Sequence, residues 1–169
     1  MRYFLAISVM FFTMLLAVPG SIAAEPDKPA AHQTTLMEKF AGTWKAEGTS
    51  FGMPSKSTMV WTSDLASKFY RIEFRIDMDN KGKTQTFIGH GYYKAGSNDG
   101  FWADTGGAMH PMATSYTDDN LTTIWGEAGK QVGRSSYTLR EDGNIEVVDW
   151  ILQQAGWREF NRTLFRRAK

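Results

Sequence analysis

The chain has no cysteine in 169 residues. This excludes a disulfide framework, a thiol nucleophile, thiolate metal sites and the thioether-linked lipid of a bacterial lipoprotein. Histidine is scarce as well: the three residues, His32, His90 and His110, do not fall at zinc-ligand spacings. An excess of one charge is also missing, since 19 Lys+Arg against 18 Asp+Glu leave a formal net charge of +1. A nucleic-acid binder would need a basic surplus, so that partner class is excluded. Beyond the N-terminus, no apolar run approaches the roughly 20 residues that span a bilayer as a helix. No G-x-S-x-G elbow marks a serine nucleophile. A calcium-loop start at Asp77 fails because Lys81 and Ile88 occupy the fifth and twelfth positions, where oxygen ligands are needed. Gly89-His90-Gly91 lacks the third glycine and the helix of a dinucleotide site.

What is present begins with an export signal. Arg2, the apolar run 4–18 and the small residues 20–24 read as a secretory signal over residues 1–24. The expected location is therefore the periplasm or the medium. Removing Arg2 levels the charge, and about 145 residues remain, one domain in size. Residues 25–34 hold two prolines and no apolar period, the composition of a disordered spacer. The domain is expected over 35–169. It opens on a short helix, for which Thr35 and Glu38 offer a capping box and Leu36 and Phe40 an apolar stripe.

From residue 42 the pattern is that of an antiparallel sheet. Over 70–78, Tyr70, Ile72, Phe74, Ile76 and Met78 alternate with Arg71, Glu73, Arg75 and Asp77, the period of a strand with one wet face. Similar runs at 43–50, 57–62, 84–94, 101–104, 112–116, 121–126, 131–139, 145–153 and 157–166 bring the expectation to about ten strands. The links carry Gly, Asn and Asp and are of hairpin length, including Asn80-Lys81-Gly82, Ala128-Gly129 and Asp142-Gly143-Asn144. Consecutive strands with such links favour an all-β, antiparallel up-and-down barrel, because closure removes the aggregation-prone edges. A two-sheet sandwich is the rival and would need longer crossing connections.

Two features at the ends of the domain carry a resemblance. Gly42-Thr43-Trp44 opens the first strand behind a helix, and Arg162, Arg166 and Arg167 crowd the last. This resembles the lipocalins and fatty-acid-binding proteins, in which a G-x-W tryptophan closes the barrel under a basic residue of the final strand. Trp44, Arg162 and Arg167 are the closure residues the resemblance implies. With Gly89-His90-Gly91-Tyr92-Tyr93 and Trp102-Ala103-Asp104-Thr105-Gly106, the chain also looks like an exported bacterial family of unknown function with a lipocalin-like, nitrobindin-related barrel. That relation implies haem bound by a C-terminal histidine. Residues 130–169 contain none, so no cofactor is expected, and haem would have to fall to His90 or His110.

The expected interior ligand is small and apolar or amphipathic, contacted by Trp61, Tyr70, Phe74, His90, Tyr92, Trp102 and Trp125. His90 belongs to this set only if its strand turns Ile88 and Tyr92 inward; otherwise it is a hydrogen-bonded rim histidine. Asp104 and His110 flank a Gly-Gly loop and supply an acid and a base, the raw material of general acid/base catalysis. A loop at the barrel mouth is the favoured reading of that stretch, and binding is favoured over enzyme activity. A structural or protein-binding barrel with a filled interior is the alternative. Monomer and homodimer are equally compatible with the sequence.

Overall fold

The computed structural model describes residues 28–127 and 130–169. The signal segment 1–24, the start of the spacer and the Ala128-Gly129 turn lie outside the described residues. The chain forms one helix, α1 (Lys28–Phe40), and ten strands: β1 (Gly42–Ser50), β2 (Met53–Asp64), β3 (Phe69–Asn80), β4 (Lys83–Lys94), β5 (Asp99–Asp104), β6 (Met109–Tyr116), β7 (Asn120–Glu127), β8 (Lys130–Leu139), β9 (Ile145–Gln153) and β10 (Gly156–Arg167). Each strand pairs antiparallel with its sequence neighbours, and β10 returns to β1 to close the barrel. The closing seam is short: Trp44 faces Arg167 and Lys45 faces Arg166.

Alternation along the strands decides what goes inside. On β3, Ile72, Ile76 and Met78 are buried and Tyr70 and Phe74 pack partly on the core, as the period of two requires. The opposite face carries the Arg75–Asp77 pair at 2.7 Å. On β9 the inward row is Ile145, Val147, Asp149 and Ile151. The last strand is interrupted between Glu159 and Asn161. This bulge shifts the side-chain parity, so that Arg158 and Phe160 above it and Asn161 and Thr163 below it all face the interior.

The helix closes one end. Gln33, Leu36, Met37 and Phe40 recur at i, i+3, i+4 and i+7 and all are buried. Gln33 is the polar member of this stripe, only 1% exposed. Its Nε2 donates to the carbonyls of Lys94 (2.9 Å) and Ser97 (3.3 Å) and to the Tyr116 hydroxyl (3.0 Å). Its Oε1 accepts from the Gly96 amide at 2.6 Å. The spacer expected over 25–34 is thus corrected from residue 28 onward: Thr35 lies inside the helix, not at its cap. A search for apolar period alone passes over a stripe whose first member is an amide. His32, too, is tied down, with its Nδ1 2.6 Å from Asp118 Oδ1.

Below the helix, Trp44 Nε1 donates to the Phe40 carbonyl at 2.7 Å. The Arg167 guanidinium lies 4.2 Å from the centre of the Trp44 ring and donates to the carbonyls of Ala41 (2.8 Å) and Lys39 (2.7 Å). One side chain therefore stacks on the closure tryptophan and satisfies carbonyls at the helix C-terminus. Arg162 is not part of this closure. It sits on the outward parity of β10 and pairs with Glu159 at 2.7 Å and Glu146 at 3.0 Å. Among the described residues, no helix is long and apolar enough to cross a membrane.

Candidate functional site

The barrel interior is divided. At the helix end, Trp61 is packed among Phe40, Tyr93 and Tyr137, with ring centres 5.3, 5.4 and 5.5 Å away. Above this aromatic floor lies a cavity of about 690 Å³. It is reached from the end where the β1–β2 hairpin places Phe51 and Gly52, with Asp104, His110, Arg158 and Phe160 around the opening.

Two tryptophans make the side walls by the same device. Trp102 of β5 lies flat over β4, where Gly89 and Gly91 hold the inward positions; a Cβ on Gly89 would overlap the indole. Trp125 of β7 lies over Gly133 of β8, and a Cβ there would overlap its ring in the same way. Glycine is needed at these positions for close approach. Each indole N–H is satisfied: Trp102 donates to Asp104 Oδ2 at 2.9 Å and Trp125 to Ser135 Oγ at 3.2 Å. Phe74, Ile76 and Phe87 add an apolar wall from β3 and β4.

The opposite wall, from β7 to β10, is polar at mid-height. Thr123, Ser135, Asp149 and Asn161 follow one another across the register. Asn161 Nδ2 donates to Asp149 Oδ2 at 2.7 Å, and Thr163 Oγ1 donates to Asn161 Oδ1 at 3.0 Å. Ser135 stands directly opposite Asp149 across the β8–β9 register. Burial raises the Asp149 pKa, and the polar side chains of Ser135 and Asn161 work against that rise. The surface that Asp149 retains faces the cavity. Burial also pushes the Tyr137 and Tyr93 phenols well up, with the Asp149 charge adding to both. The Tyr93 hydroxyl and Thr123 Oγ1 are buried without a hydrogen bond of good geometry.

Of the residues singled out from the sequence, Phe74, Trp102 and Trp125 line the cavity. Trp61 and Tyr70 belong to the core packing instead. His90 and Tyr92 face outward, because the inward positions of β4 are taken by the two glycines beneath Trp102. His90 Nε2 lies 4.0 Å from Glu73 on the outer face, and Tyr92 stacks on Phe101 at 4.9 Å. Asp104 and His110 both border the cavity, but among the described residues no hydrogen bond or ion pair joins them. Asp104 is engaged in its own turn, accepting from the amides of Gly106 (2.8 Å) and Ala108 (3.4 Å) as well as from Trp102. The sequence pattern did not single out the polar wall. Its one signal was Asp149, a carboxylate in the inward row of Ile145, Val147 and Ile151.

For haem, the donor set fits poorly. His110, with its ring 5.6 Å from Trp125, is the one histidine that borders the cavity among the described residues. The polar wall offers a carboxylate, hydroxyls and an amide where haem proteins place a histidine, thiolate or similar axial ligand. Among the described residues no three His, Asp or Glu side chains are grouped to hold a metal ion.

The fold and site define a class: a closed ten-stranded antiparallel barrel, plugged by a helix at one end and hollow toward the other. No protein-family model matches the chain, and no curated protein matches it.

Proposed function

We propose that the protein is an exported, lipocalin-like barrel that encloses a small apolar or amphipathic ligand. The observation that carries this reading is the cavity of about 690 Å³, which falls within the roughly 300–1,000 Å³ of ligand sites. Its lining supports the same reading: indole and phenyl faces supply apolar contact area, and a few buried polar groups would fix orientation. The filled-barrel alternative requires an interior without such space. Catalysis by Asp104 and His110 draws no support from the geometry, since both Asp104 oxygens are committed to its turn and to Trp102.

Trp102 and Trp125 are in the cavity wall, so occupancy changes their surroundings. Titration with neutral alkyl alcohols and other lipid-like compounds is expected to give a saturable change in tryptophan emission at micromolar levels. A flat response across a broad panel would contradict the reading. Export is tested separately by cell fractionation and N-terminal sequencing, which should find the mature chain beginning near Ala24. Haem is tested by reconstitution; a Soret band lost in His110→Ala would replace the apolar ligand by haem.

A further inference from the structure

We infer that the polar wall centred on Asp149 is a subsite for a protonated amine, so that the ligand is an apolar molecule carrying an ammonium group. This rests on the reading of the barrel as a ligand-binding protein and specifies its ligand class.

Asp149 is enclosed by protein and faces the cavity. Among the described residues no Lys, Arg or His nitrogen lies within ion-pair reach of it, and no basic group lowers its pKa. A buried carboxylate with no counter-ion is costly, and proteins ordinarily pair it or surround it with donors. Here the donors are only partly supplied. An ionised carboxylate accepts about four hydrogen bonds, and the protein provides one, from Asn161, with the Ser135 side chain opposite Asp149 in register.

The network is built to keep that carboxylate an acceptor. Thr163 donates to the Asn161 carbonyl oxygen, which turns the amide nitrogen toward Asp149. Trp125 donates to Ser135 Oγ, which leaves the serine hydrogen free to turn toward Asp149 on the facing strand. The remaining acceptor capacity faces a cavity that Trp125 and Tyr137 also line. A carboxylate in an aromatic-lined cavity suits a cation, which gains charge-assisted hydrogen bonds there and cation-π attraction where it meets a ring face. A cation would also favour ionised Asp149 against the effect of burial. An anionic headgroup would be repelled here. It would have to settle at Arg158, one inward step nearer the mouth, opposite Ile151.

The test uses three probes with one chain length, decylamine, decanol and decanoate, titrated at neutral pH into the wild type, Asp149→Asn and Arg158→Gln. In the wild type, decylamine is expected to bind about tenfold or more tightly than decanoate, the scale of a hydrogen bond to a charged group. Asp149→Asn should abolish this preference while decanol affinity stays near its original value, and Arg158→Gln, which removes the alternative anion contact, should keep or widen the preference. Decanoate binding as tightly as decylamine, or an amine preference that survives Asp149→Asn, overturns the inference. Decanol binding with no advantage for the amine overturns the amine subsite alone. Failure of all three probes overturns the ligand-binding reading with it. If Asp149→Asn does not fold, the wild-type order of the three affinities still decides.

Discussion

The indole of Trp102 lies against the backbone of Gly89, occupying the space in which any Cβ at that position would fall. The pair fixes one wall of the cavity and the direction of a whole strand face. Replacing Gly89 by Ala is expected to destabilise the barrel, although a chain stiffened at glycine gains about 0.4–1 kcal/mol at compatible sites. The forced displacement of the ring costs about 1–3 kcal/mol and outweighs that gain. Urea denaturation of Gly89→Ala, and of Gly133→Ala beneath Trp125, should show lower midpoints with shifted tryptophan emission. Unchanged midpoints would show that the rings are not held as described.

Gln33 anchors α1 to the closed end: its two amide hydrogens are shared among three acceptors and its oxygen accepts from the Gly96 amide. Gln33→Ala leaves the Ser97 carbonyl and the Gly96 amide without their partner, while the Lys94 carbonyl keeps the Ser97 amide, and is expected to cost about 1–3 kcal/mol in chemical denaturation. Because the residue lies far from the cavity opening, probe affinity in the folded variant should change little.

Arg167 performs two tasks that a lysine cannot combine: stacking on Trp44 and donating to the carbonyls of Lys39 and Ala41 at the end of the helix from one planar group. Arg167→Lys is expected to lose about 1 kcal/mol or less, since the side chain is solvent-accessible, and to alter Trp44 emission. A variant with wild-type stability and spectrum would contradict the role assigned to this seam.

Asp149 gives the protein an unusual pH signature. Its folded pKa is raised, so the native state holds the proton more tightly than the unfolded chain. The group therefore costs no stability below its unfolded pKa, taken as 3.8, and stability falls as pH rises from there through the raised folded value. Asp77, Asp142 and Glu159 on the surface have lowered pKa values and act in the opposite sense. Comparing the wild type with Asp149→Asn across pH isolates the buried group. The wild type should gain on the variant as pH falls toward the unfolded value of 3.8; a difference that does not vary with pH would contradict the burial of a titrating carboxylate.

Much of the barrel was legible because strand alternation is a local property. The row from Tyr70 to Met78 reads correctly from its own residues, and the hairpin links leave few topologies besides a meander. The facing of β4 was not legible in this way. Its own pattern points Ile88 and Tyr92 inward, yet the interior volume is claimed by Trp102 on the next strand, which turns the glycines in and sends His90 and Tyr92 out. Arg162 and Arg167 are similar in sequence, but the first lies on the outward parity and the second reaches over Trp44 at the seam. The six tryptophans divide by the same logic. Trp44 and Trp61 pack the closed end and Trp102 and Trp125 line the cavity, while Trp150 and Trp157 flank the Arg134 guanidinium outside, at 4.2 and 5.3 Å. The helix was underestimated because its first buried contact is made by Gln33, whose fit depends on carbonyls some sixty residues away in sequence.

Native mass spectrometry of the protein isolated gently from its own cellular compartment tests the central claim, a hollow barrel with an occupant, most directly. The expected result is a complex heavier than the mature chain by one small molecule, released on denaturation and amphipathic in character. A bare chain mass, from protein that also takes up no apolar probe when titrated, would contradict it.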